Sequence, residues 1–232
     1  MFVPKDGCVL IDADYSQIEL RVLAHIANDQ IMQEAFRSGE DVHRVTASQV
    51  FGVAPEDVTS LMRRHAKAVN FGIVYGISDF SLADDIGVTR KEAKAYIESY
   101  LEKYAGVRQY MHDVVEQAKA DGYVTTLMGR RRYLPELKSK NFNLRSFGER
   151  CAMNTPIQGT AADIIKLAMI RVDAALAKQY PQARLVLQVH DELIVECPLD
   201  QADDVKQLVE REMEQVMELR VPLLAEAKSG AS

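Results

Sequence analysis

The 232 residues are 47% hydrophobic and 27% charged, which excludes a disordered or fibrous chain and allows one or two domains with a sizeable core. A net charge of −6 at pH 7 argues at first sight against a nucleic-acid partner, and the absence of a long apolar run argues against a membrane span. Cys8, Cys151 and Cys197 are odd in number and lack any CxxC spacing, which excludes a disulfide framework or a zinc site and indicates a reducing compartment.

The expected location is cytoplasmic, because Lys5 and Asp6 interrupt any signal-peptide pattern at the start. Disorder is expected only in the final KSGAS. In chain order, the apolar run from Val9 breaks into Asp12, Asp14 and Tyr15, the pattern of a buried strand that delivers a carboxylate to its own end. Ser16 and Glu19 have the spacing of a capping box for a helix through IELRVLAHIAND. A polar loop, RSGED, precedes a second helix from about Val42 to Phe51. A third helix starts near Asp57 or Thr59 and carries LMRRHAKAVNFGIVYG. Gly72 inside it costs about 1 kcal/mol relative to alanine, which implies a close approach, and Gly76 is a natural helix terminator. Thr89 and Glu92 open another capping box, followed by Tyr96, Ile97, Tyr100, Leu101 and Tyr104 at core-facing helical spacing. A helix from about Val107 to Ala120 ends at Gly122, and YVTTLMGRRRYLP reads as a hairpin turning at Gly129. A long helix from about Phe147 to Lys178 leads to two strand-like runs around His190, Asp191 and Glu192. An acidic helix capped by Asp200 and a short strand near Val221 to Ala225 follow.

Strands at both ends with helices between them give an α+β fold: a small antiparallel sheet backed by helices, with a mostly helical subdomain inserted after the first strand and helix. If the two end strands share a sheet, Asp14 and Asp191 meet. Two carboxylates brought together with no basic side chain beside them repel, so the pair reads as a divalent metal site. On the third helix, Arg63, Lys67, Phe71 and Tyr75 recur every four residues and form a stripe about 18 Å long. Its cationic end suits phosphate oxygens and its aromatic end suits a base or sugar, as a nucleoside triphosphate requires. A surface cationic turn followed by two core aromatics explains the stripe equally well by itself; adding the two aspartates favours phosphoryl transfer. Charge is also unevenly distributed, with seven Lys or Arg against two Glu from Thr125 to Arg150 and seven acids against three bases from Asp200 to Arg220. The basic stretch can face phosphate or be a solvated surface.

DADYSQIELR, RRHAKAVNFGIVYG and QVHDE, in that order, resemble the three polymerase signature motifs of the family A DNA polymerases. DVHRVTASQVFG, TLMGRRRYLPEL and ERCAMNTPIQGTAADIIKLAM extend the resemblance over essentially the whole chain except its C-terminal tail. The resemblance implies a palm sheet at 1–28 and 146–232, with fingers at 29–145. It also implies template-directed addition of deoxynucleoside triphosphates to the primer of a primer-template DNA. The family's thumb, exonuclease-like domain and an upstream palm arginine are not among these residues, so a longer enzyme is expected, with the missing N-terminal polymerase region joining in cis or in trans.

By the same resemblance, Asp14 and Asp191 hold two Mg2+ ions, with the main-chain carbonyl of Tyr15 as a further ligand, and Asp12 supports from outside the ligand set or faces solvent. Arg63, Lys67 and His43 contact the triphosphate, and Lys67 can protonate the departing pyrophosphate. Gln17 supports the nucleotide pocket. Glu19 and Tyr75 close against the sugar and exclude a 2′ hydroxyl, while Phe71 reads its 3′ side. Arg150, Asn154 and Gln158 form a stripe that tests base-pair geometry in the minor groove, His190 touches the primer end, and Glu192 lies near the metals without being an essential ligand. A metal-dependent phosphatase or nuclease also uses paired carboxylates but has no need of the RxxxKxxxFxxxY stripe. A noncatalytic DNA-binding fragment is the second alternative. An RNA polymerase or reverse transcriptase conflicts with the bulky gate at Glu19.

Overall fold

A computed structural model of the protein describes residues 3–230. Met1, where the first expected palm segment begins, and Ala231 and Ser232, at the end of the tail expected to be disordered, lie outside the described residues. The chain divides into two compact units, one made of the chain up to Ile18 and from Ala161 onward, the other of Glu19–Thr160.

The first unit is built on β1 (Cys8–Tyr15), whose alternation buries Val9, Ile11, Ala13 and Tyr15 and turns Asp12 and Asp14 outward. The partners of β1 are β5 (Glu192–Pro198) and β6 (Ala225–Gly230), with β4 (Arg184–Val189) outside β5; the sheet order is β4-β5-β1-β6 and every pairing is antiparallel. Tyr15 ties the end of β1 to α9 (Ala202–Glu214), its buried Oη donating to the Met213 carbonyl at 2.6 Å.

Two expectations for this unit fail. The last strand is Ala225–Gly230 rather than Val221 to Ala225, so Lys228, Ser229 and Gly230 of the supposedly disordered tail are paired with β1. Little in AEAKSG favours a strand; the edge of β1 supplies the ladder, and Glu214 and Glu210 of α9 accept from the Ala225 and Ala227 amides at 3.1 and 2.8 Å. Asp200 does not cap α9, because it sits inside a 3-10 turn, Leu199–Gln201, that passes directly into the helix.

The second unit holds α1 (Ile18–Ile26, its first residue belonging to the other unit), α2 (Gln30–Arg37), α3 (Val42–Phe51), α4 (Ser60–Val74), α5 (Asp79–Ile86), α6 (Arg90–Lys103) and α7 (Ala105–Asp121). A hairpin of β2 (Tyr123–Thr125) and β3 (Arg131–Tyr133) turns at Gly129, and α8 (Phe142–Gln179) carries the chain back to the first unit. The sequence reading missed α2 and α5. The first starts afresh because Asn28, at φ 49°, breaks α1 and Asp29 caps the new helix through Met32 N. Ser78 caps the second through Ser81 N. The α8 helix begins five residues earlier than expected, where the Asn141 side chain accepts from the Asn143 and Leu144 amides.

Thr89 and Glu92 form the expected capping box, and Tyr100 and Tyr104 are fully buried. Gly72 has the expected reason to be glycine: a Cβ there would lie 2.6 Å from Ile77 Cγ2. Just beyond it, Gly76 takes φ 67° and its amide returns to the Ile73 carbonyl, ending α4.

Candidate functional site

The carboxylates of the first unit converge as the sequence implied. Asp14 lies directly opposite Glu192 in β5, and the Tyr15 amide donates to the Asp191 carbonyl at 3.3 Å. His190 holds φ 50° at the tip of the β4–β5 turn, exposed, with its carbonyl accepting from Gln188 Nε2 at 2.5 Å. That tight turn is what brings Asp191 back beside the end of β1. Burial, followed by the negative charges of Asp191, Glu192 and Asp12, pushes the Asp14 carboxyl up to about 6.

One part of the expectation needs correction: a basic side chain is nearby. Lys228 of β6 is paired with Asp12 in register and pulls the Asp14 pKa partly back down. Among the described residues there is no group of three or more His, Cys, Asp or Glu suited to hold a metal. A divalent ion here would therefore rest on the Asp14–Asp191 pair and main-chain oxygen. The crowded, raised Asp14 fits that role, since a cation relieves the repulsion that holds its proton. Gln17 takes φ 56° immediately before α1.

In the second unit, the stripe lies along α4. Arg63 Nε is held by Asp41 Oδ2 at 2.5 Å, and the other oxygen of Asp41 caps α3 through the His43 and Arg44 amides. Burial works to raise the Asp41 pKa, but the Arg63 and backbone hydrogen bonds outweigh it and lower the carboxyl. Lys67 Nζ stands 5.9 Å from the Phe71 ring centroid, and the His43 ring packs on the same Phe71 at 5.8 Å. His43 is only 2% exposed, and burial, with Arg63 and Lys67 adding to it and Asp41 opposing, lowers its pKa to about 4. At the far end, Tyr75 Oη donates to Glu19 Oε2 at 2.9 Å; this is the observed partner of Glu19, whose spacing had suggested a cap with Ser16.

A pocket of about 640 Å3, lined among others by Phe71, Tyr75, Gly76, Ile77, Ser78 and Arg150, opens where α4 gives way to α5. On α8, Asn154 Nδ2 donates to the Val74 carbonyl at 3.1 Å, Arg150 bonds Ser146 Oγ, and Gln158 is exposed. The Asn154 bond satisfies a carbonyl that the end of α4 leaves unpaired.

Sequence reasoning missed Asp41, Asn70 and Lys228. A signal existed for Asn70, which shares a helical face with Ala66, Ile73 and Val74 and is the polar residue on an otherwise apolar, buried stripe. No comparable signal marks Lys228, whose strand exists only through its pairing with β1.

A family model described as DNA polymerase family A matches residues 1–232. The chain belongs to DNA polymerase family A. It is 59% identical over 232 residues to DNA polymerase I of Bacillus subtilis (strain 168), covering 100% of this chain and 26% of that one. It is 60% identical over 223 residues to DNA polymerase I of Geobacillus stearothermophilus, covering 96% of this chain and 26% of that one. Its fold matches the solved POL domain of Pol1 from M. smegmatis in complex with DNA primer-template and dNTP. That match has a TM-score of 0.94 at 46% identity and covers 100% of this chain and 41% of the other. The chain thus spans about a quarter of the length of the curated relatives it matches. No helix among the described residues of this family A chain is long and apolar enough to cross a membrane.

Proposed function

We propose that the chain performs template-directed addition of deoxynucleotides to a primer 3′ hydroxyl, as the palm (1–28 and 146–232) and fingers (29–145) of a longer polymerase. The observation that carries this reading is the convergence of Asp14 and Asp191 at the ends of paired strands, with the Asp14 carboxyl pushed up by burial and then by its acidic neighbours. Asp14, Asp191 and the Tyr15 carbonyl would hold Mg2+. Two such ions supply an acidified 3′ hydroxyl and charge neutralisation on the triphosphate and its leaving group.

Most of the remaining roles belong to side chains of the second unit. Arg63, oriented by Asp41, and Lys67, standing over Phe71, are suited to grip the triphosphate, with Lys67 donating a proton to the departing pyrophosphate. His43 offers a neutral imidazole to the same oxygens. Phe71 supports the sugar, and the Glu19–Tyr75 hydrogen bond sets a bulky polar bar against a 2′ hydroxyl. Gln17 steadies the pocket; Arg150, Asn154 and Gln158 read the minor groove, and His190 meets the primer end. Glu192 adds negative charge beside Asp14 without serving as a ligand. The thumb and the remaining N-terminal region of the longer enzyme supply the other DNA contacts. Three free cysteines are compatible with a cytoplasmic setting.

Primer extension with Mg2+ and labelled deoxynucleotides tests the reaction. Incorporation is expected once the N-terminal polymerase region is supplied in cis or in trans, whereas nucleotide release from the 3′ end without incorporation would return a nuclease. In competition assays Glu19→Ala should raise ribonucleotide use and Phe71→Tyr dideoxynucleotide use, each without the other; unchanged ratios in both variants would show the sugar pocket to be misplaced.

A further inference from the structure

We infer that Asn70 is a positioning residue that fixes His43 as a neutral donor, with its proton on Nε2 and that nitrogen turned toward the nucleotide; the inference rests on the reading that His43 meets the triphosphate. Asn70 is fully buried, and its Nδ2 lies 3.0 Å from His43 Nδ1 and 3.0 Å from Thr46 Oγ1. Thr46 Oγ1 lies 3.2 Å from Asn70 Oδ1 and 3.0 Å from Tyr104 Oη, and both of these neighbours' side chains are fully buried as well. With the Asn70 amide nitrogen on the His43 side, every member of the set is satisfied. Tyr104 donates to Thr46, Thr46 donates to the Asn70 carbonyl oxygen, and the Asn70 amide donates to His43 Nδ1.

An Nδ1 that accepts leaves the proton on Nε2. The buried side-chain polar atoms without a partner among the described residues are Tyr100 Oη, Glu136 Oε2 and Gln201 Oε1. His43 Nε2 is not one of them and makes no hydrogen bond to a described residue, so the slight exposure of the ring includes this nitrogen.

The charged groups facing the ring are Asp41 before α3 and Arg63 and Lys67 on α4. Beside two cations, an imidazolium would be disfavoured, whereas a neutral N–H can still donate to an anionic oxygen. The opposite tautomer would turn a lone pair toward that oxygen and repel it. An apolar residue at position 70 would leave the choice of tautomer open, so the amide determines whether His43 attracts or opposes a phosphate.

Imidazole 15N spectra of the 232-residue chain read the tautomer without any reaction. The unmodified chain should show His43 protonated at Nε2 and bare at Nδ1. In Asn70→Asp, whose carboxylate can only accept when ionised, the proton should move to Nδ1, and the dissociation constant for dTTP with Mg2+ should rise about tenfold, the loss expected for one hydrogen bond to a charged group. An Nδ1–H tautomer in the unmodified chain overturns the inference even if no variant folds, as does an unchanged tautomer in a folded Asn70→Asp. The expected tautomer in a chain whose His43 signals ignore dTTP would strike the nucleotide-site reading and leave the control of His43 by Asn70 standing.

Discussion

Asp14 is placed where its charge is unwelcome to the bare fold, since burial and three acidic neighbours oppose ionisation and only Lys228 favours it. Removing that charge should cost function and not stability. Asp14→Asn and Asp191→Asn are each expected to reduce incorporation at least about a thousandfold, the several kcal/mol that loss of a metal ligand implies. Their melting temperatures should stay at or slightly above that of the unmodified chain; full turnover by either variant would sink the metal assignment. His43 presents the opposite case. Its folded pKa of about 4 lies below the ordinary value of 6.5, so between those two pH values the unfolded chain binds a proton that the folded chain refuses. Stability is therefore complete above about pH 7 and falls as pH drops through 6.5 toward 4. Partial solvent access at the ring edge limits the loss to about 1–2 kcal/mol. Asp14, raised to about 6, takes up a proton on folding over part of the same range and works the other way, so the His43 slope is read as the difference in urea unfolding between the unmodified chain and His43→Gln from pH 5 to 8.

At the scale of elements, the end of α4 shows how packing overrides propensity. Alanine is a better helix former than glycine by about 1 kcal/mol, yet Gly72→Ala is expected to destabilise the fold by about 1–3 kcal/mol, because its new methyl would meet Ile77 Cγ2. Gly72→Ala combined with Ile77→Ala should recover part of the Gly72→Ala deficit, and a denaturant double-mutant cycle measures the coupling; additive effects would rule out the contact as the reason for glycine. The acidic helix α9 likewise has a role its composition conceals. Glu210 and Glu214 are partners of the amides of β6, so part of what reads as a solvated charge run closes a sheet edge.

Across the whole molecule, the basic stretch from Thr125 to Arg150 is set in a chain of net charge −6. Duplex affinity comes mainly from phosphate neutralisation by lysine and arginine, each contact adding to the salt dependence. The 232-residue chain by itself should therefore bind primer-template DNA weakly, and the binding should fall steeply between about 50 and 200 mM salt. Supplying the remaining three-quarters of the length found in the curated relatives should restore both affinity and extension. Fluorescence anisotropy across a salt series checks this, and tight binding at physiological salt with processive extension would refute it.

The sequence by itself determined what local periodicity and short-range chemistry can specify. The alternation of β1, the four-residue spacing of Arg63, Lys67, Phe71 and Tyr75, the Thr89–Glu92 box and the turns at Gly76 and Gly129 depend on neighbours within a few positions. The α2 and α5 starts are legible by the same logic, in Asp29 and Ser78. Tertiary structure decided what depends on distant partners. AEAKSG becomes a strand because β1 offers it an unpaired edge and α9 offers its amides two carboxylates. Lys228 thereby joins the acidic cluster. Glu19 meets Tyr75 at the exposed end of α4, and Asn70 is turned toward His43 because α3 and α4 pack together and bury both polar side chains, which then satisfy each other.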